Sequence, residues 1–421
     1  MPSYRVRMLI VALVVPLGLG ADWPQWRGPH RDGRSEETGL LDRWPQGGPP
    51  LIGVLEHLGG GFSSMSIVGG VLYTQGYFGD SEQVVAIDLK SGNKLWQTPV
   101  SRTIQVGYPG ARSTPTVDGD ALYVVTVEGT VACLDRATGH VRWRKHMIRD
   151  FRGWRPNWGY AESPLVDGDA LVVTPGGATA TVVKLRKHTG RLIWRCAIAS
   201  SGRPRRRGGG RRGERAAYAS VVVSYAGGRK QYIQFLDGGV VGIDARSGTL
   251  LWRYDAPANR TANIATPIVT SHYVFATSAY NTGAGLVRLK AVSRRRIVAE
   301  EVYFTRHMQN HHGGVVLHEG HIYGCSGRIW TCIDFLTGAV RWRDRGIGKG
   351  SVVYADGKLV LYSEQGEVAL IEASPERYEE RGRFRLPTRS EHPTWPHPVI
   401  YEGQLFLRDW DRIYVYRIGQ P

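Results

Sequence analysis

The sequence has little cysteine: four residues in 421, none adjacent to another and none arranged as C-x-x-C. This spacing excludes a haem-attachment motif and the paired-cysteine ligands of zinc sites. Cys133 and Cys332 occupy the same position in two copies of a repeated motif, and Cys325 lies diagonal to Cys332 across a tight turn. We therefore expect buried, unpaired thiols that act as small hydrophobic side chains.

Long apolar runs are also missing, apart from one near the N-terminus. The run MLIVALVVPLGLG, residues 8–20, follows two arginines and ends in small residues. It is shorter than the ~20 residues of a membrane-spanning helix and has the layout of a secretory signal peptide. We predict that residues 1–20 are a signal peptide, that the protein is exported to the periplasm or beyond the cell, and that it has no transmembrane span. A retained N-terminal anchor is the alternative.

Acidic residues are outnumbered, with 37 Asp and Glu against 54 Lys and Arg, and the net charge is +17. The most basic segment is SGRPRRRGGGRRGERA, residues 201–216, which holds seven arginines and one glutamate. Its Gly/Arg composition predicts a solvated loop outside the folded core, suited to contact anionic envelope surfaces. Export argues against nucleic acid as the natural partner.

An eleven-residue motif recurs along the chain and carries most of the information about the fold. Four copies are clear and three are weaker. Among the weaker ones, KLRKHTGRLIW (184–194) has Arg186 in place of the motif Asp, and the other two cover 288–298 and 370–380. From one Asp position to the next the spacing is 38 to 58 residues, the period of a propeller blade. The consensus is small-x-Asp-x-x-[Ser/Thr]-Gly-x-x-x-Trp, and the clear copies are AIDLKSGNKLW (86–96), CLDRATGHVRW (133–143), GIDARSGTLLW (242–252) and CIDFLTGAVRW (332–342).

The chemistry of the motif is that of a turn followed by a packed strand. The Asp accepts hydrogen bonds from amides of the turn, and the Gly supplies a corner with positive φ. The Trp is expected to pack against the neighbouring blade. The residues assigned to these structural roles are Asp88, Trp96, Asp135, Trp143, Trp194, Asp244, Trp252, Asp334 and Trp342.

Upstream of each copy lies an apolar strand, a turn and a second apolar strand, as in TVDGDALYVV, residues 116–125. Eight such hairpins predict that residues 21–421 form a single all-β domain, an eight-bladed β-propeller of four-stranded antiparallel blades. The last hairpin ends at RIYVYRI (412–418) with no fourth strand after it. We expect PLIGVLEHL (50–58) to supply that strand, so that N- and C-terminal strands close the ring and cover its edges.

The motif resembles the pyrroloquinoline quinone (PQQ)-like repeat, which quinoprotein alcohol dehydrogenases share with outer-membrane-assembly propellers. The enzymes carry a disulfide between adjacent cysteines, calcium held by carboxylate and amide oxygens, and an aspartate base, and none of these is matched here. The assembly propellers match in size and blade count, but they are lipid-anchored and this chain lacks the lipidation cysteine. Four more segments resemble a bacterial subgroup of exported PQQ-like propellers: DWPQWRGPHRDG (22–33), NHHGG (310–314), KGSVVYADGKL (349–359) and TWPHPVI (394–400).

In a propeller, the residues just before each innermost strand converge on one mouth of the central channel. We interpret this ring as a polar rim or as a binding site for a small polar or anionic ligand. The two histidines of NHHGG are expected to form a hydrogen-bonded pair, and no metal site is predicted. The candidate ligand-binding residues at this mouth are Arg112, Glu162, His311, His312, Lys349, Trp395 and His397.

Two functions are compatible with these observations. The favoured one is a non-catalytic, monomeric propeller without a cofactor, which serves as a binding or protein-interaction scaffold in the cell envelope. Its partner is an unknown protein or a small polar or anionic ligand at the central channel. The alternative is a PQQ-dependent oxidoreductase of alcohols or sugars that uses PQQ with calcium. No catalytic residue is assigned.

Overall fold

A computed structural model of the chain describes residues 22–200, 213–293 and 296–420. It contains eight four-stranded antiparallel sheets, which confirms the predicted eight-bladed β-propeller. The described residues add one short α-helix, Met147–Phe151, and one 3₁₀ turn, Ala226–Gly228. No helix in this part of the chain has the length and apolar character needed to cross a membrane. The predicted signal peptide at 1–20 lies outside the described residues.

Strand β1, Leu51–Leu55, is the first strand of the described residues, and blade 1 begins after it. From the channel outward, blade 1 comprises β2 (Ser66–Val68), β3 (Val71–Phe78), β4 (Ser81–Asp88) and β5 (Lys94–Arg102). Blade 2 comprises β6 (Thr116–Asp118), β7 (Ala121–Val125), β8 (Thr130–Asp135) and β9 (Val141–His146). Blade 3 comprises β10 (Leu165–Asp167), β11 (Ala170–Val173), β12 (Val182–Arg186) and β13 (Leu192–Cys196). Blade 4 comprises β14 (Val222–Ser224), β15 (Gln231–Phe235), β16 (Val240–Asp244) and β17 (Leu250–Tyr254).

The second half of the ring repeats this order. Blade 5 comprises β18 (Ile268–Val269), β19 (Tyr273–Ser278), β20 (Gly283–Ser293) and β21 (Arg296–Thr305). Blade 6 comprises β22 (Val315–His318), β23 (His321–Ser326), β24 (Ile329–Asp334) and β25 (Val340–Asp344). Blade 7 comprises β26 (Gly350–Ala355), β27 (Lys358–Ser363), β28 (Glu367–Glu372) and β29 (Glu380–Arg385). Blade 8 comprises β30 (Val399–Tyr401), β31 (Gln404–Asp409), β32 (Arg412–Arg417) and β1.

Blade 8 closes the ring, because its three inner strands follow blade 7 in the chain whereas its outer strand, β1, precedes blade 1. Strand β1 pairs antiparallel with β32, and the register places Leu55 opposite Ile413 and Leu51 opposite Tyr416. The predicted fourth strand within residues 50–58 is therefore confirmed. Pairing covers the edge of β32, which would otherwise expose unpaired backbone groups.

The motif turns have the geometry that their residue types dictate. One carboxylate oxygen of Asp135 accepts from the amides of Ala137 and Thr138 and from the Thr138 hydroxyl, and Gly139 has φ +72°. Asp244 and Asp334 make the same set of bonds in their own blades, and Asp88 binds Ser91 in a similar way. All four free cysteines are buried, and burial raises the pKa of their thiols.

Four of the five motif tryptophans bind the turn of the next blade. The indole N–H groups of Trp96, Trp143, Trp194 and Trp342 donate to the main-chain carbonyls of Arg136, Lys187, Ala245 and Ser374, respectively. Each acceptor lies one or two residues after the Asp position of the following blade. The motif therefore works between blades, with the Trp of one copy seated on the turn of the next.

Trp252 departs from this arrangement, and the motif copy of the next blade, residues 288–298, is degenerate. Its indole N–H donates to Gln231 of its own blade, and the side chain is buried. At the following junction, Tyr303 of blade 5 takes the place of the tryptophan. Its hydroxyl donates to the carbonyl of Phe335, directly after Asp334, at 3.0 Å.

The motif glycine has a second role, which a substitution can isolate. A Cβ at Gly139 would lie 2.6 Å from the Trp96 ring, whereas a Cβ at Gly119 of the same blade, with φ +59°, would meet nothing within 4 Å. We expect Gly139→Ala to destabilise the fold by about 2–3 kcal/mol, from left-handed strain plus overpacking. Gly119→Ala, which has the strain alone, should cost about 1–2 kcal/mol. Equal losses in urea unfolding would show that the ring contact contributes nothing.

The end of the basic segment is packed into the propeller. Gly213 pairs with Ala199, Glu214 is fully buried and bridges to Arg253 at 2.8 Å, and Ala216 is buried. Residues 213–216 therefore do not belong to the expected solvated loop, because the Glu214 carboxylate is held by a guanidinium inside the fold. Residues 201–212 lie outside the described part of the chain.

Candidate functional site

The central channel is crossed by residues 22–35, which we call the plug. Its main chain pairs with Ile67 of blade 1, Val117 of blade 2 and Tyr354 of blade 7. Its side chains reach three further blades: Trp26 donates to Thr266, Arg27 to the Val315 carbonyl and Arg31 to the Ser163 carbonyl. Hydrogen bonds to six of the eight blades hold the plug across the channel, so that it closes the channel between its two mouths.

Two buried arginines hold the plug in place. Arg27 donates to the carbonyls of Asp32 and Val315, and Arg31 donates to those of Ser163 and Pro164. Burial lowers the pKa of both to about 10, so they remain charged at neutral pH. Gly314 of the NHHGG segment makes room for Arg27, because a Cβ at that glycine would lie 1.7 Å from the guanidinium.

Above the plug, at the mouth where the innermost strands begin, lies a cavity of about 330 Å³. All eight blades contribute to its wall, and Trp26 of the plug lines it as well. The polar side chains of the wall are Arg112, Ser163, Ser220, His311, His312, Lys349 and Glu364. The aromatic ones are Trp26, Phe62, Tyr108, Trp158, Tyr218, Tyr280 and Trp395.

Five of the seven predicted site residues line this cavity: Arg112, His311, His312, Lys349 and Trp395. Glu162 does not, because its neighbours Ala161 and Ser163 face the cavity and alternate side chains of an extended chain point to opposite sides. Its carboxylate is buried, accepts from the Thr174 amide and the Gln234 side chain, and has a pKa raised by burial to about 7.

His397 is also absent from the cavity wall. It is buried beside the plug, where its Nε2 lies 2.9 Å from the His312 carbonyl and its ring contacts Trp26 at 4.5 Å between centroids. Burial lowers its pKa to about 3, so it is neutral and supports the backbone of the histidine pair.

Glu364 is the centre of the polar wall. Its Oε1 lies 3.0 Å from the Lys349 ammonium, 3.4 Å from Nδ1 of His312, and accepts from the Trp395 indole at 2.9 Å. Burial opposes ionisation, but the His312 contact and the Lys349 charge hold the pKa of Glu364 below its usual range. The carboxylate is therefore ionised and fixed in place.

The two histidines are close, but they do not hydrogen-bond to each other in the way the sequence suggested. Their ring centroids are 3.7 Å apart; His311 meets the Tyr280 hydroxyl at 2.8 Å, and His312 stacks on Trp395 at 4.2 Å. Burial lowers the pKa of both imidazoles, and that of His311 falls to about 2. Both rings are neutral at physiological pH.

Tyr280 and Glu364 were missed because only residues before the innermost strands were considered. Both lie in turns after the second strand of a blade, and an antiparallel second strand returns the chain to the mouth where the first began. Glu364 sits beside Lys349 for this reason, and its amide donates to the Lys349 carbonyl at 2.8 Å. Trp26 was also missed, because it belongs to the plug and the plug is not part of the repeat.

Tyr108 and Tyr280 form the outer rim of the cavity, with 55% and 46% of their surfaces exposed. Both have left-handed backbones, with φ of +60° and +56°. For a bulky side chain this conformation costs about 1–2 kcal/mol, and such outliers cluster at functional sites. The fold thus holds two exposed rings over the mouth against a backbone preference.

His311, His312 and Glu364 could in principle hold a metal ion, since one ligand atom from each lies within 4.8 Å of the others. The Lys349 ammonium, however, is already bound to the one carboxylate of this group and competes with any cation for it. The sequence-based expectation of no metal site stays a prediction.

Comparisons with known proteins agree on the architecture. The family model described as outer membrane protein assembly factor BamB matches residues 80–344. BamB from Moraxella catarrhalis is 13% identical, with a TM-score of 0.61, over 88% of this chain and 98% of that one. Quinohemoprotein alcohol dehydrogenase from Comamonas testosteroni is 12% identical, with a TM-score of 0.63, over 95% of this chain and 81% of that one.

A computationally designed protein, Ika8, is also similar, at 11% identity and a TM-score of 0.59 over 86% of this chain and 99% of that one. No curated protein matches the sequence. At these identities the solved structures share the fold alone. They include an assembly factor, an alcohol dehydrogenase and a design, so the fold does not decide between binding and catalysis.

Proposed function

Because this chain belongs to the family of the outer membrane protein assembly factor BamB, we propose that it is an exported, non-catalytic propeller of the cell envelope. It acts as a binding or protein-interaction scaffold, and its ligand or a partner's side chain enters the cavity above the plug. The chain works as a monomer and needs no cofactor.

The observation that carries this proposal is the closed base of the cavity. The plug turns an open channel into a blind pocket, and pockets that are mostly apolar with a few fixed polar groups are typical ligand sites. The polar groups are held by other side chains of the wall: Glu364 by the Trp395 indole and Lys349, and His311 by the Tyr280 hydroxyl. Such a wall presents a preformed surface, which reduces the entropy lost on binding.

The alternative, a PQQ-dependent oxidoreductase, would require the wall to hold a quinone and calcium. Calcium takes six to eight oxygen ligands, several of them carboxylates. Among the described residues that line the cavity, Glu364 is the single acidic side chain, and its neighbours are imidazoles and an ammonium. None of the four cysteines lines the cavity, so the disulfide of the enzymes has no counterpart there. These residues do not fit that cofactor and its ion.

Binding in the cavity can be tested on the protein isolated from its own envelope. We expect native mass spectrometry to find a bound small molecule or partner, which Tyr108→Ala, a change at the exposed rim, removes. Tyr225→Ala is the matched control, because that ring is 63% exposed and lies at a turn of blade 4, away from the cavity. Retention by Tyr108→Ala, or no bound species in any form, would contradict the proposal.

The same purified protein decides between scaffold and enzyme. Incubated with PQQ and calcium, it is expected to show neither bound quinone absorbance after desalting nor calcium-dependent reduction of a dye by alcohols or sugars. Stoichiometric PQQ binding with substrate-dependent dye reduction would overturn the non-catalytic assignment.

A further inference from the structure

The aromatic wall of the cavity limits the shape of its ligand. Phe62 and Trp395 are inclined at 37°, Tyr108 and Trp395 at 60°, and Trp158 and Tyr218 at 51°. A flat aromatic molecule stacks best on parallel faces, whereas the neighbouring rings in each of these pairs are inclined to one another. Separate faces of negative potential suit the polarised C–H groups on the two sides of a saturated ring. At about 330 Å³ the cavity is at the small end of ligand pockets and suits a single ring.

The charges of the wall limit the sign of the ligand. An aromatic box could otherwise attract a quaternary ammonium group, but Arg112 and Lys349 both line it. Glu364 neutralises Lys349, whereas Arg112 is held by the carbonyls of Gly107 and Tyr108 and by the Phe62 ring. With neutral histidines the wall carries a net positive charge, and this favours one negative charge on the ligand.

The hydrogen-bonding groups point to a ligand with hydroxyls. All three side-chain contacts of Glu364 use Oε1, which leaves Oε2 to accept a hydrogen bond from a ligand. The neutral imidazoles can accept or donate, and Arg112 and Lys349 donate. Fixed acceptors and donors around a ring-sized space are what a polyhydroxylated ring requires.

We propose that the cavity binds a single anionic sugar ring, a hexuronate or a sugar phosphate, an inference that rests on the proposed binding function. Trp26, Tyr108 and Tyr280 cover the faces of the ring, and Arg112 pairs with its acidic group. Glu364 and His312 bind its hydroxyls. The shared chemistry is a pyranose with one acidic substituent, which a monosaccharide or the end of an envelope polysaccharide can supply.

Calorimetric titration with glucuronate, glucose 1-phosphate, glucose and benzoate tests the proposal. We expect one of the two anionic sugars to bind at least about tenfold more tightly than glucose or benzoate, because a charge-assisted bond contributes that much. Which of the two binds identifies the acidic group as carboxylate or phosphate. Raising sodium chloride from 50 to 500 mM should weaken the anionic sugar selectively, since salt screens the Arg112 charge; this comparison needs no variant.

Variants locate the site. Arg112→Met should remove the preference for the anionic sugar over glucose, Tyr280→Ala should weaken both at least about tenfold, and Tyr225→Ala should change neither. Glucose binding as tightly as both glucuronate and glucose 1-phosphate overturns the anionic part, and tighter binding of benzoate overturns the sugar part. Failure of every sugar while the native species is still lost in Tyr108→Ala refutes this inference and leaves the proposed function standing. If no sugar binds and Tyr108→Ala also keeps the native species, both this inference and the proposed function are refuted.

Discussion

Removing residues 22–58 is expected to abolish cooperative unfolding of the propeller. The deletion takes away β1, which is the outer strand of blade 8, and the plug that joins six blades across the channel. It also removes Trp23, Leu40, Trp44 and Leu58, which share one hydrophobic core with blades 1, 7 and 8. The unfolding of chains 22–421 and 59–421 is compared by calorimetry and with a dye that binds exposed apolar surface.

A second deletion separates the two contributions. A chain lacking only residues 22–35 keeps β1, and so it should unfold in a cooperative but earlier transition. If the chain that begins at 59 melts as sharply and as late as the parent, then neither strand closure nor the plug supports the ring. If only the chain that begins at residue 59 unfolds in a sharp transition, then β1 is not needed to close the ring.

Replacing Arg408 with methionine is expected to destabilise the fold by about 3–5 kcal/mol, because it leaves a group of buried acceptors without a donor. Arg408 lies in β31 and is fully buried. Its guanidinium donates to the carbonyls of Gly59, Ser63 and Gln75, to the Thr74 hydroxyl, and to the Trp410 carbonyl. Four of these acceptors precede or belong to blade 1, so one side chain fastens the last blade to the first.

The matched control is Arg417→Met in β32 of the same blade, where the side chain is exposed. Its free energy of unfolding should change by less than about 0.5 kcal/mol. Burial lowers the pKa of Arg408 to about 9, so the wild-type bonds are charge-assisted at neutral pH. Denaturant unfolding that finds equal losses for the two variants would show that Arg408 does not fasten the seam.

The repeat motif could be read from the sequence because its chemistry is local. Asp135 binds amides two and three residues ahead, and Gly139 needs positive φ, so both requirements are met within one turn. The alternation of apolar residues likewise defines each hairpin without reference to its neighbours. Eight hairpins, the last of which has no fourth strand after it, were enough to predict the ring and its closure by residues 50–58.

The site was predicted in part for the same reason. Residues before each innermost strand must meet at one mouth, and Arg112, His311, His312, Lys349 and Trp395 do. Position along the chain does not say which way a side chain faces, and Glu162 turned into the fold between two residues that face the cavity.

The sequence by itself determined the blade, the number of blades and the mouth at which polar side chains gather, because each depends on spacing along the chain. Only the tertiary structure decided that residues 22–35 close the channel and that Glu364 joins Lys349, His312 and Trp395. These contacts join parts of the chain from different blades or from outside the repeat. The physical reason is that hydrogen bonds between distant segments depend on how the blades pack around the axis, and no local pattern encodes that packing.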